Sequence, residues 1–384
     1  MRILVVSDIP THPVNAGNRN LILAYTDLFK EWGHTVHFLF VNRFYLHKKC
    51  NLSIADLEMN RNYWNDDFFV YSYTFIENIL SNLAIIKDKL FFDSYRKVDD
   101  IYPEGLSKMF VRLNEKYHYQ AVIVNYFYLS KLLEVVSCER KALFTHDSFS
   151  MHTKSKSNQA AYYLTKEEET KALKRAPYIF AMQDVEADYF RKLHPEGKIL
   201  INYSNYDCQE QPVAGNHNLL YLSGASAFNK AGLLWFLENI FPLIKQQFND
   251  AKLRVAGNIC NMLQEYKNRN DIELVGYIDN PATFYQTGDI AINPCYQGTG
   301  LKIKTFEAMA HDKITMVHPH STIGIYKKEK APIFASERPN NWVDYLKKVW
   351  SSEDCIMSHK EAIRNYMYEM NRFIHSQYIN FLEK

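Results

Sequence analysis

The chain has 384 residues, of which 47% are hydrophobic and 23% are charged, so it is long and apolar enough for two globular domains and is not a disordered segment. Its formal net charge of +2 excludes a global electrostatic field that would attract nucleic acid. The 6 cysteines include no C-x-x-C pair, which argues against a zinc site or a disulfide framework and favours a reducing, cytoplasmic compartment.

The chain opens with the apolar segment Arg2-Ile-Leu-Val-Val-Ser7, which predicts a strand buried on both faces of a parallel sheet. This run is too short for an export signal, and Asp8 follows it at once. A polar loop containing Gly17 comes next, then a predicted helix over residues 19–32 and a second strand over residues 35–41. The order predicts a doubly wound sheet, in which ligands bind beyond the carboxyl ends of the strands. We therefore expect the loop around Gly17 to lie on the ligand side.

Residues 44–103 interrupt this alternation with a stretch rich in Tyr, Phe, Asn and Asp, which we interpret as an insertion containing helical segments such as residues 73–92. Within it, residues 87–97 mix basic and aromatic side chains. That mixture is typical of a solvated amphipathic helix, and it also fits a surface that contacts an acceptor or a membrane. No stretch approaches the roughly 20 apolar residues of a membrane-spanning helix, so we expect any membrane contact to be peripheral.

The alternation then resumes up to residue 205, which completes a predicted N-terminal domain over residues 1–205. Its predicted strands lie at 121–125, 141–145, 178–183 and 198–201, and its predicted helices at 106–117, 129–136 and 165–174. His146 follows the strand over residues 141–145 directly, and a histidine at the ligand end of a strand is a candidate for function.

Residues 206–217 are polar and lack periodicity, which predicts a linker, and the same pattern restarts in a second domain over residues 218–359. We predict strands at 219–222, 252–255, 272–275, 290–293 and 313–317, a loop at 223–230, and helices at 233–248, 262–269, 283–287, 301–310 and beyond residue 341. Apolar residues at helical spacing in 360–384 predict a final helix, which we expect to return to the N-terminal domain.

The segment 293–310, NPCYQGTGLKIKTFEAMA, reads as the end of a buried strand, a glycine turn and a helix. Gly298-Thr299-Gly300 allows an open backbone, and Lys302 and Lys304 add positive charge near a helix N-terminus with unpaired N–H groups. Such a turn is suited to an anion, and a diphosphate is the natural candidate. Glu307, on the inner side of the helix, could reach neighbouring hydroxyls. The same pattern also describes an ordinary turn with two solvated lysines.

These features together resemble the GT-B glycosyltransferases, and in detail the family 4 retaining enzymes, over most of the chain. Motifs in the family's order carry the resemblance: Ala16-Gly17-Asn18-Arg19, Gly33-His34-Thr35-Val36, Gly224, Asn229-Lys230 through Phe236, Ala256-Gly257-Asn258, Val275-Gly276-Tyr277, Asn293-Pro294, and Gly300-Leu301-Lys302 through Ala310. The resemblance implies an α/β fold with two Rossmann-like domains facing each other across a cleft. It also implies transfer of a sugar, with retention, from a nucleotide-diphosphate sugar to a saccharide or lipid-linked acceptor, in bacterial cell-surface polysaccharide synthesis.

The resemblance assigns catalytic roles to three residues. It implies that His146 lines the donor sugar site, that Lys230 neutralises the leaving diphosphate, and that Glu307 accepts hydrogen bonds from the ribose hydroxyls. Gly17 and its neighbours would let the backbone approach the phosphate and acceptor, and the turn at Gly276 and Tyr277 would hold the base. The donor or nucleotide contacts implied in full are Gly17, Asn18, Arg19, Gly224, Asn229, Asn258, Gly276, Tyr277, Gly298, Thr299, Gly300, Leu301 and Lys302.

Thr299 departs from the family's pattern, which often has two glutamates with seven residues between them. Thr299 stands at the first of these positions, so the carboxylate that would grip the donor sugar is missing there. No D-x-D spacing occurs in the chain, so we expect no metal or other cofactor, with lysines and a helix end acting in place of a cation.

Two other functions fit the same pattern. Nucleotide-sugar epimerases of the GT-B kind bind the same donor without an acceptor, and Thr299 is also compatible with a non-catalytic sugar-binding or partner subunit. As partners we expect a nucleotide sugar and a saccharide or lipid-linked acceptor, and no nucleic acid. A peripheral contact with the inner membrane surface is compatible with these partners.

Overall fold

The computed structural model describes residues 1–14, 16–43, 52–91, 95–151, 163–203, 205–298 and 301–383. The chain divides into two compact units, one comprising Met1–Asn205 with Ile374–Lys384 and the other Tyr206–Phe373. Each unit is built on a parallel sheet with helices, which confirms the predicted α/β class with two Rossmann-like domains.

The strands of the first unit are β1 (Arg2–Ser7), β2 (Thr35–Asn42), β3 (Phe68–Ser72), β4 (Tyr95–Arg96), β5 (Ala121–Asn125), β6 (Arg140–Phe144), β7 (Tyr163–Leu164), β8 (Tyr178–Ala181) and β9 (Lys198–Ile201). Its helices are α1 (Gly17–Glu31), α2 (Ile54–Trp64), α3 (Phe75–Phe91), α4 (Glu104–Tyr117), α5 (Lys166–Leu173) and α6 (Asp184–Leu193). Seven strands form one sheet in the order β3-β2-β1-β5-β6-β8-β9, and β4 pairs with β7.

The central strands of this sheet are the most apolar segments of the unit. Ile3, Leu4, Val5 and Val6 of β1 are all 0% exposed, as a strand covered on both faces requires. β1 pairs in parallel with β5, with Ile3 opposite Ala121. The strand order therefore reverses between β1 and β5.

Residues 44–103, which we predicted as an insertion, contribute an edge strand to the main sheet. β3 pairs with β2, with Phe38 opposite Phe68, although residues 44–51 and 92–94 lie outside the described part. The helix α2 before it begins at a capping box formed by Ser53 and Asp56. That capping box is readable in the sequence, but the aromatic, nearly continuous run of β3 does not show the polar alternation of an edge strand.

The strands of the second unit are β10 (Asn218–Leu222), β11 (Lys252–Ala256), β12 (Ile272–Gly276), β13 (Ile290–Asn293), β14 (Ile314–Val317) and β15 (Ile333–Ala335). Its helices are α7 (Ala227–Asn239), α8 (Phe241–Gln247), α9 (Pro281–Tyr285), α10 (Ile303–Ala310), α11 (Pro339–Val349) and α12 (Glu353–Glu383). The sheet is parallel in the order β12-β11-β10-β13-β14-β15, so the strand order reverses between β10 and β13.

Helices in the second unit differ from the predicted ones at three places. In place of the helix predicted over residues 262–269 there are two 3-10 helices, Asn258–Met262 and Gln264–Tyr266. The helix predicted over residues 233–248 is two helices, because Pro242 near the start of α8 cannot donate the hydrogen bond that would continue α7. α7 instead begins at Ala227, capped by Ser226, so Lys230 lies in a helix and not in the predicted loop. In the first unit, the helix predicted over 129–136 is a 3-10 helix, Phe127–Glu134.

The predicted linker, residues 206–217, is tied to the second unit by a buried ion pair. Lys360 Nζ lies 2.9 Å from Asp289 Oδ1, and both side chains are 0% exposed. Lys360 also donates to the carbonyls of Gln211 and Pro212, and Asp289 accepts from the backbone N–H of Ala214. Both charges are therefore satisfied where an unpaired buried charge would be costly.

None of the helices in the described part of the chain is both long enough and apolar enough to cross a membrane.

Candidate functional site

Each unit has one position where the strand order reverses and the loops on either side diverge. In open parallel sheets such positions bind ligands at the carboxyl ends of the strands. In the second unit this edge is formed by the loop after β10 and by residues 294–298 after β13. In the first unit it is formed by the loops after β1 and β5. Most of the predicted site residues lie in or next to these loops.

In the second unit, Lys304 joins the two loops at the reversal. Its Nζ donates to Asn229 Oδ1 at 2.6 Å and to Ser223 Oγ at 3.2 Å, and it lies 5.4 Å from the ring centre of Tyr221. Burial lowers the pKa of Lys304 to about 8, with nearby Lys302 acting in the same direction. Burial has removed water from this ammonium group. An anionic ligand would take the place of that water and stabilise the positive charge.

Glu307 lies one helical turn after Lys304 on α10, so the two side chains share a face of the helix. Burial raises the pKa of Glu307 to about 7, against the opposing charge of Lys304. Its charge in turn helps to raise the pKa of Tyr206 and of Tyr285. Among the described residues, none donates a hydrogen bond to this carboxylate, which leaves it ready to accept from hydroxyl groups of a ligand.

Lys230 lies in the first turns of α7 and points to a different partner. Its Nζ is 3.2 Å from Glu265 Oε1, in an ion pair whose side chains are 31% and 51% exposed. Exposed pairs of this kind are weak, so Lys230 is easily released to another anion.

Two side chains fix the backbone of the glycine turn after β13. Gly298 has a φ of 96°, a left-handed conformation that favours glycine. Its carbonyl accepts from Lys302 Nζ at 2.9 Å and lies 2.7 Å from His320 Nε2, which must be the donor because a carbonyl only accepts. The predicted contacts Thr299 and Gly300 lie outside the described residues.

Leu301 and Lys302 immediately precede α10, with Lys302 at its N-cap. No side chain caps this N-terminus. Within the first turn, however, the backbone N–H groups of Ile303 and Thr305 donate to the carbonyls of Leu301 and Lys302, so part of the predicted set of N–H donors is already occupied.

The remaining predicted donor contacts of the second unit lie after its first three strands. Gly224 follows β10, and its carbonyl accepts from Asn229 Nδ2 at 3.0 Å. Asn258, after β11, is exposed at the start of a 3-10 helix. Gly276 ends β12 with a φ of 86°, and Tyr277 after it is 63% exposed. An exposed ring at a strand end is free to stack on a planar ligand.

In the first unit, the reversal is organised by Asn125, the last residue of β5. Its Nδ2 donates to the carbonyl of Val6 at 3.0 Å, which orients the amide so that Oδ1 faces His146. His146 Nε2 lies 2.8 Å from Asn125 Oδ1, so Nε2 carries the proton and donates it. Burial lowers the pKa of His146 to about 3. His146 is therefore neutral, and its Nδ1 is a hydrogen-bond acceptor.

The backbone is strained at the two strand ends around this histidine. Tyr126 and His146 have φ values of 69° and 62°, which non-glycine residues rarely adopt. Their rings stack with centres 4.3 Å apart. The positioning of His146 is thus fixed by its backbone, its ring and its Nε2.

The predicted residues at the start of α1 adjoin the same group. Asn18 Nδ2 donates to the hydroxyl of Tyr126 at 2.9 Å. Arg19 is turned toward its own loop, where it donates to the carbonyl of Pro13 at 3.0 Å. Gly17 begins the helix, and no side chain caps this N-terminus. An anion could approach the backbone there.

Two residues that the sequence did not single out as site residues belong to these edges: Asn125 and Asp8. Lys304 was predicted to add positive charge near the anion site, but its hydrogen bonds to Asn229 and Ser223 were not. Asn125 had a signal, since a polar residue ends an otherwise apolar strand. Burial raises the pKa of Asp8, just after β1, to about 6, against the charge of Arg43. Only the fold brings Asp8 close to Arg43.

Residues 216–352 match the family model described as Glycosyl transferases group 1. A protein of Klebsiella pneumoniae, described as an uncharacterized 44.6 kDa protein in the cps region, is 22% identical over 361 residues, covering 84% of this chain and 83% of its own.

Solved structures show the same fold at low sequence identity. A variant of TarM from S. aureus, in complex with fondaparinux, α-GlcNAc-glycerol and UDP, matches with a TM-score of 0.64 at 9% identity, over 100% of both chains. HepE from Anabaena, in complex with UDP and glucose, matches with a TM-score of 0.63 at 11% identity, again over 100% of both chains. The second unit thus matches the group 1 glycosyl transferases, and the chain as a whole has the GT-B fold.

Proposed function

We propose that the protein is a retaining glycosyltransferase of the family 4 kind, moving a hexose or related sugar from a nucleoside-diphosphate sugar to a hydroxyl of a saccharide or lipid-linked acceptor. The observation that carries the proposal is the pair of titratable side chains on α10. Lys304 is a half-buried cation and Glu307 a carboxylate with no donor among the described residues, both at the reversal between β10 and β13.

The comparisons support the class of reaction and of donor. The family match over residues 216–352 supports a transferase, and the UDP bound by TarM and HepE supports a nucleoside diphosphate. The cps-region origin of the Klebsiella relative supports a role in cell-surface polysaccharide synthesis. We further propose that the reaction takes place in the cytoplasm, in peripheral contact with the inner membrane surface.

In the proposed reaction, the second unit holds the donor. Glu307 accepts hydrogen bonds from the ribose hydroxyls, Lys230 and Lys304 face the diphosphate, and Gly276 and Tyr277 contact the base. Breaking the sugar–phosphate bond leaves negative charge on the diphosphate. Fixed cations and helix N–H groups stabilise that charge more in the transition state than in the ground state, so no metal ion is part of the proposal.

Retention follows from attack on the same face of the sugar as the leaving group. The acceptor oxygen forms a bond to the anomeric carbon as the bond from that carbon to the diphosphate oxygen breaks. The departing diphosphate oxygen takes the acceptor's proton. This route needs no protein base, which is consistent with the neutral state of His146. His146 acts instead as an acceptor that orients a sugar hydroxyl through Nδ1.

The proposal is tested first by donor binding and then by transfer. Nucleotide sugars that bind the native protein raise its melting temperature, and those that do so are then incubated with a panel of saccharide and lipid-linked acceptors. We expect one donor to bind and its sugar to appear on an acceptor with the anomeric configuration retained, by NMR. Glu307→Ala and Lys230→Ala should each weaken binding or turnover and leave the fold intact.

Two other outcomes would contradict the proposal. Conversion of the donor sugar without any acceptor would identify an epimerase. Donor binding without transfer to any acceptor in the panel would identify a sugar-binding or partner subunit.

A further inference from the structure

The helix α3 turns its apolar side chains toward solvent. Eight large hydrophobic residues of this helix are between 42% and 79% exposed. They are Phe75, Ile76, Ile79, Leu80, Leu83, Ile86, Leu90 and Phe91. At 3.6 residues per turn, these positions fall on one continuous face that runs the full length of the helix, about 25 Å.

Three polar residues of α3 are turned the other way, into the first unit: Glu77, Ser81 and Asp88. Ser81 and Asp88 are 3% and 1% exposed, and Ser81 Oγ accepts from the buried guanidinium of Arg43 at 3.1 Å. Glu77 accepts from the hydroxyl of Tyr71 and from the backbone N–H of Gly105. A helix packed on a water-soluble domain has the opposite arrangement, with its apolar side inward.

An apolar face of this extent costs free energy in water. Most other exposed hydrophobic residues of the described chain are single positions on separate elements, which is normal for a protein surface. A contiguous apolar patch marks a surface that contacts something else. The fold keeps this patch exposed by bonding the polar side of α3 to Arg43, Tyr71 and Gly105.

We propose that this face of α3 lies on the surface of a phospholipid bilayer that contains anionic headgroups. The charges on the helix select this occupant. Lys87 lies within the apolar face and is 51% exposed, with its Nζ 3.9 Å from Asp100 at the rim. Lys97 is exposed just beyond the helix, whose own acidic residues, Glu77 and Asp88, are on the opposite side. An apolar face that contains a lysine and none of the helix's own carboxylates is typical of helices that lie in the bilayer interface.

A second copy of the chain fits this face less well. In a symmetric dimer the same surface meets itself, so α3 would face α3. Each Lys87 and its partner Asp100 would then be pressed against apolar side chains of the opposing helix, and taking an ion pair out of water in this way costs free energy. At a bilayer surface the same lysine reaches the headgroup phosphates while the apolar residues enter the acyl region.

The inference adds a partner to the proposed transfer, since a bilayer contact would bring the first unit to a lipid-linked acceptor. It rests on the proposed function only for that purpose. Vesicle binding requires neither donor nor acceptor, so a failure of the bilayer contact would leave the proposed transfer standing, and the reverse also holds.

The test is flotation of the full-length protein with vesicles made of phosphatidylethanolamine and phosphatidylglycerol, compared with vesicles of phosphatidylcholine alone. We expect the protein to float with the anionic vesicles and to be released by high salt only in part, because the apolar contact is not screened. The triple variant Ile79→Ser, Leu83→Ser and Leu90→Ser should reduce the bound fraction about tenfold or more. Lys87→Gln should reduce it about fivefold on anionic vesicles alone.

The matched control is Ile54→Ser, which removes an equally large side chain that is 81% exposed on α2. It should leave vesicle binding unchanged. Because all of the altered residues are exposed, the variants should melt at or above the temperature of the unaltered protein. Equal flotation of the triple variant and the unaltered protein would overturn the proposal. A dimer in light scattering that the triple variant dissolves, without vesicle binding, would overturn it in favour of a self-association surface.

Discussion

Glu307 and Lys304 lie one turn apart on α10, and burial moves both pKa values toward neutrality, to about 7 and about 8. Because the pKa of Glu307 is higher in the folded protein, its carboxyl group favours folding at pH values below the ordinary pKa of a glutamate. It loses that contribution as the pH rises through about 7. The lysine, with its lowered pKa, favours folding at high pH and loses that contribution as the pH falls through about 8. Between these values both groups are largely charged at a cost to the fold, which a bound donor would offset.

The first prediction concerns the pH dependence of donor binding. A nucleotide sugar should bind most tightly between about pH 7 and about pH 8, where Glu307 accepts and Lys304 is still cationic. Below pH 7 the affinity should fall by up to about tenfold per pH unit, because the carboxylate takes up a proton. Calorimetric titration across this range measures the effect. The variant Glu307→Gln should bind the donor more weakly, and its affinity should no longer fall below pH 7. The same fall in that variant would contradict the role given to Glu307.

The second prediction concerns the ion pair between Lys230 and Glu265, which are 3.2 Å apart. If Lys230 leaves this pair to face the diphosphate, Glu265→Gln should tighten donor binding by up to about fivefold, the value of an exposed ion pair. Lys230→Ala should weaken binding by about tenfold to a hundredfold. In the Lys230→Ala background the effect of Glu265→Gln should vanish. Additive effects in this cycle would show that Lys230 does not exchange partners.

At the residue scale, the sequence could predict the type of side chain but not its partner. Glu307 was visible because it lies on a predicted helix after a glycine turn, whereas Lys230 was assigned through the resemblance of the Asn229-Lys230 motif to that of the family 4 enzymes. The hydrogen bonds from Lys304 to Asn229, and from His146 to Asn125, join segments that are 75 and 21 residues apart. Only the pairing of the strands brings such segments together.

At the scale of elements, the packing of α7 on the segment after β13 positions Asn229 and Lys230. Gly232 faces this segment, and a Cβ at its position would lie 2.8 Å from the Cα of Cys295 and from the carbonyl of Pro294. Both obstacles are backbone atoms, which cannot move aside easily. The absence of a side chain at Gly232 therefore allows the helix to approach the loop that leads into the glycine turn.

The third prediction is that Gly232→Ala destabilises the protein and weakens donor binding together. Alanine favours a helix over glycine by about 1 kcal/mol, but overpacking against a fixed backbone costs about 1–3 kcal/mol and shifts α7. Denaturant unfolding and donor titration measure the two effects. Gly224→Ala is the control for stability, because a Cβ there meets nothing within 4 Å. A Gly232→Ala protein as stable as the unaltered one would contradict this packing.

The elements themselves were mostly predictable, for a physical reason. Buried parallel strands such as β1 are short, continuous apolar runs, and β1, β5 and β9 fall where the sequence placed them. The misses include β3, whose pairing with β2 depends on the rest of the sheet, and the 3-10 helices after β5 and β11. Apolar spacing of three or four residues does not distinguish a 3-10 turn from an α-helix.

At the scale of the whole molecule, the last residues of the chain complete the core of the first unit. Ile374, Tyr378, Phe381 and Leu382 are at most 2% exposed. The ring of Tyr378 contacts Phe29 of α1 edge-on at 5.1 Å. The helix α12 thus supplies residues to both units, changing from the second to the first at Ile374.

The fourth prediction is that Tyr378→Ala destabilises the first unit by about 3–5 kcal/mol, as expected when a large aromatic side chain is removed from a core. In calorimetry, the variant should lower the melting temperature of the first unit. The nucleotide sugar should instead raise the melting temperature of the second unit, because the donor binds there. Tyr368→Ala, on the same helix but 65% exposed, should change stability by less than about 0.5 kcal/mol. A loss of stability as large at Tyr368 would contradict this account.

The route of α12 also sets an order of events on the ribosome. The ribosome must make all of residues 206–373 before it reaches Ile374, so the first unit lacks residues 374–384 until the whole of the second unit has been synthesised. Throughout that wait, the surface of α1 and β8 that Tyr378 and Phe381 later cover is open to chaperones. Termination of translation between residues 374 and 381 would therefore remove core residues from the first unit, which is synthesised first, and leave the residues of the second unit complete.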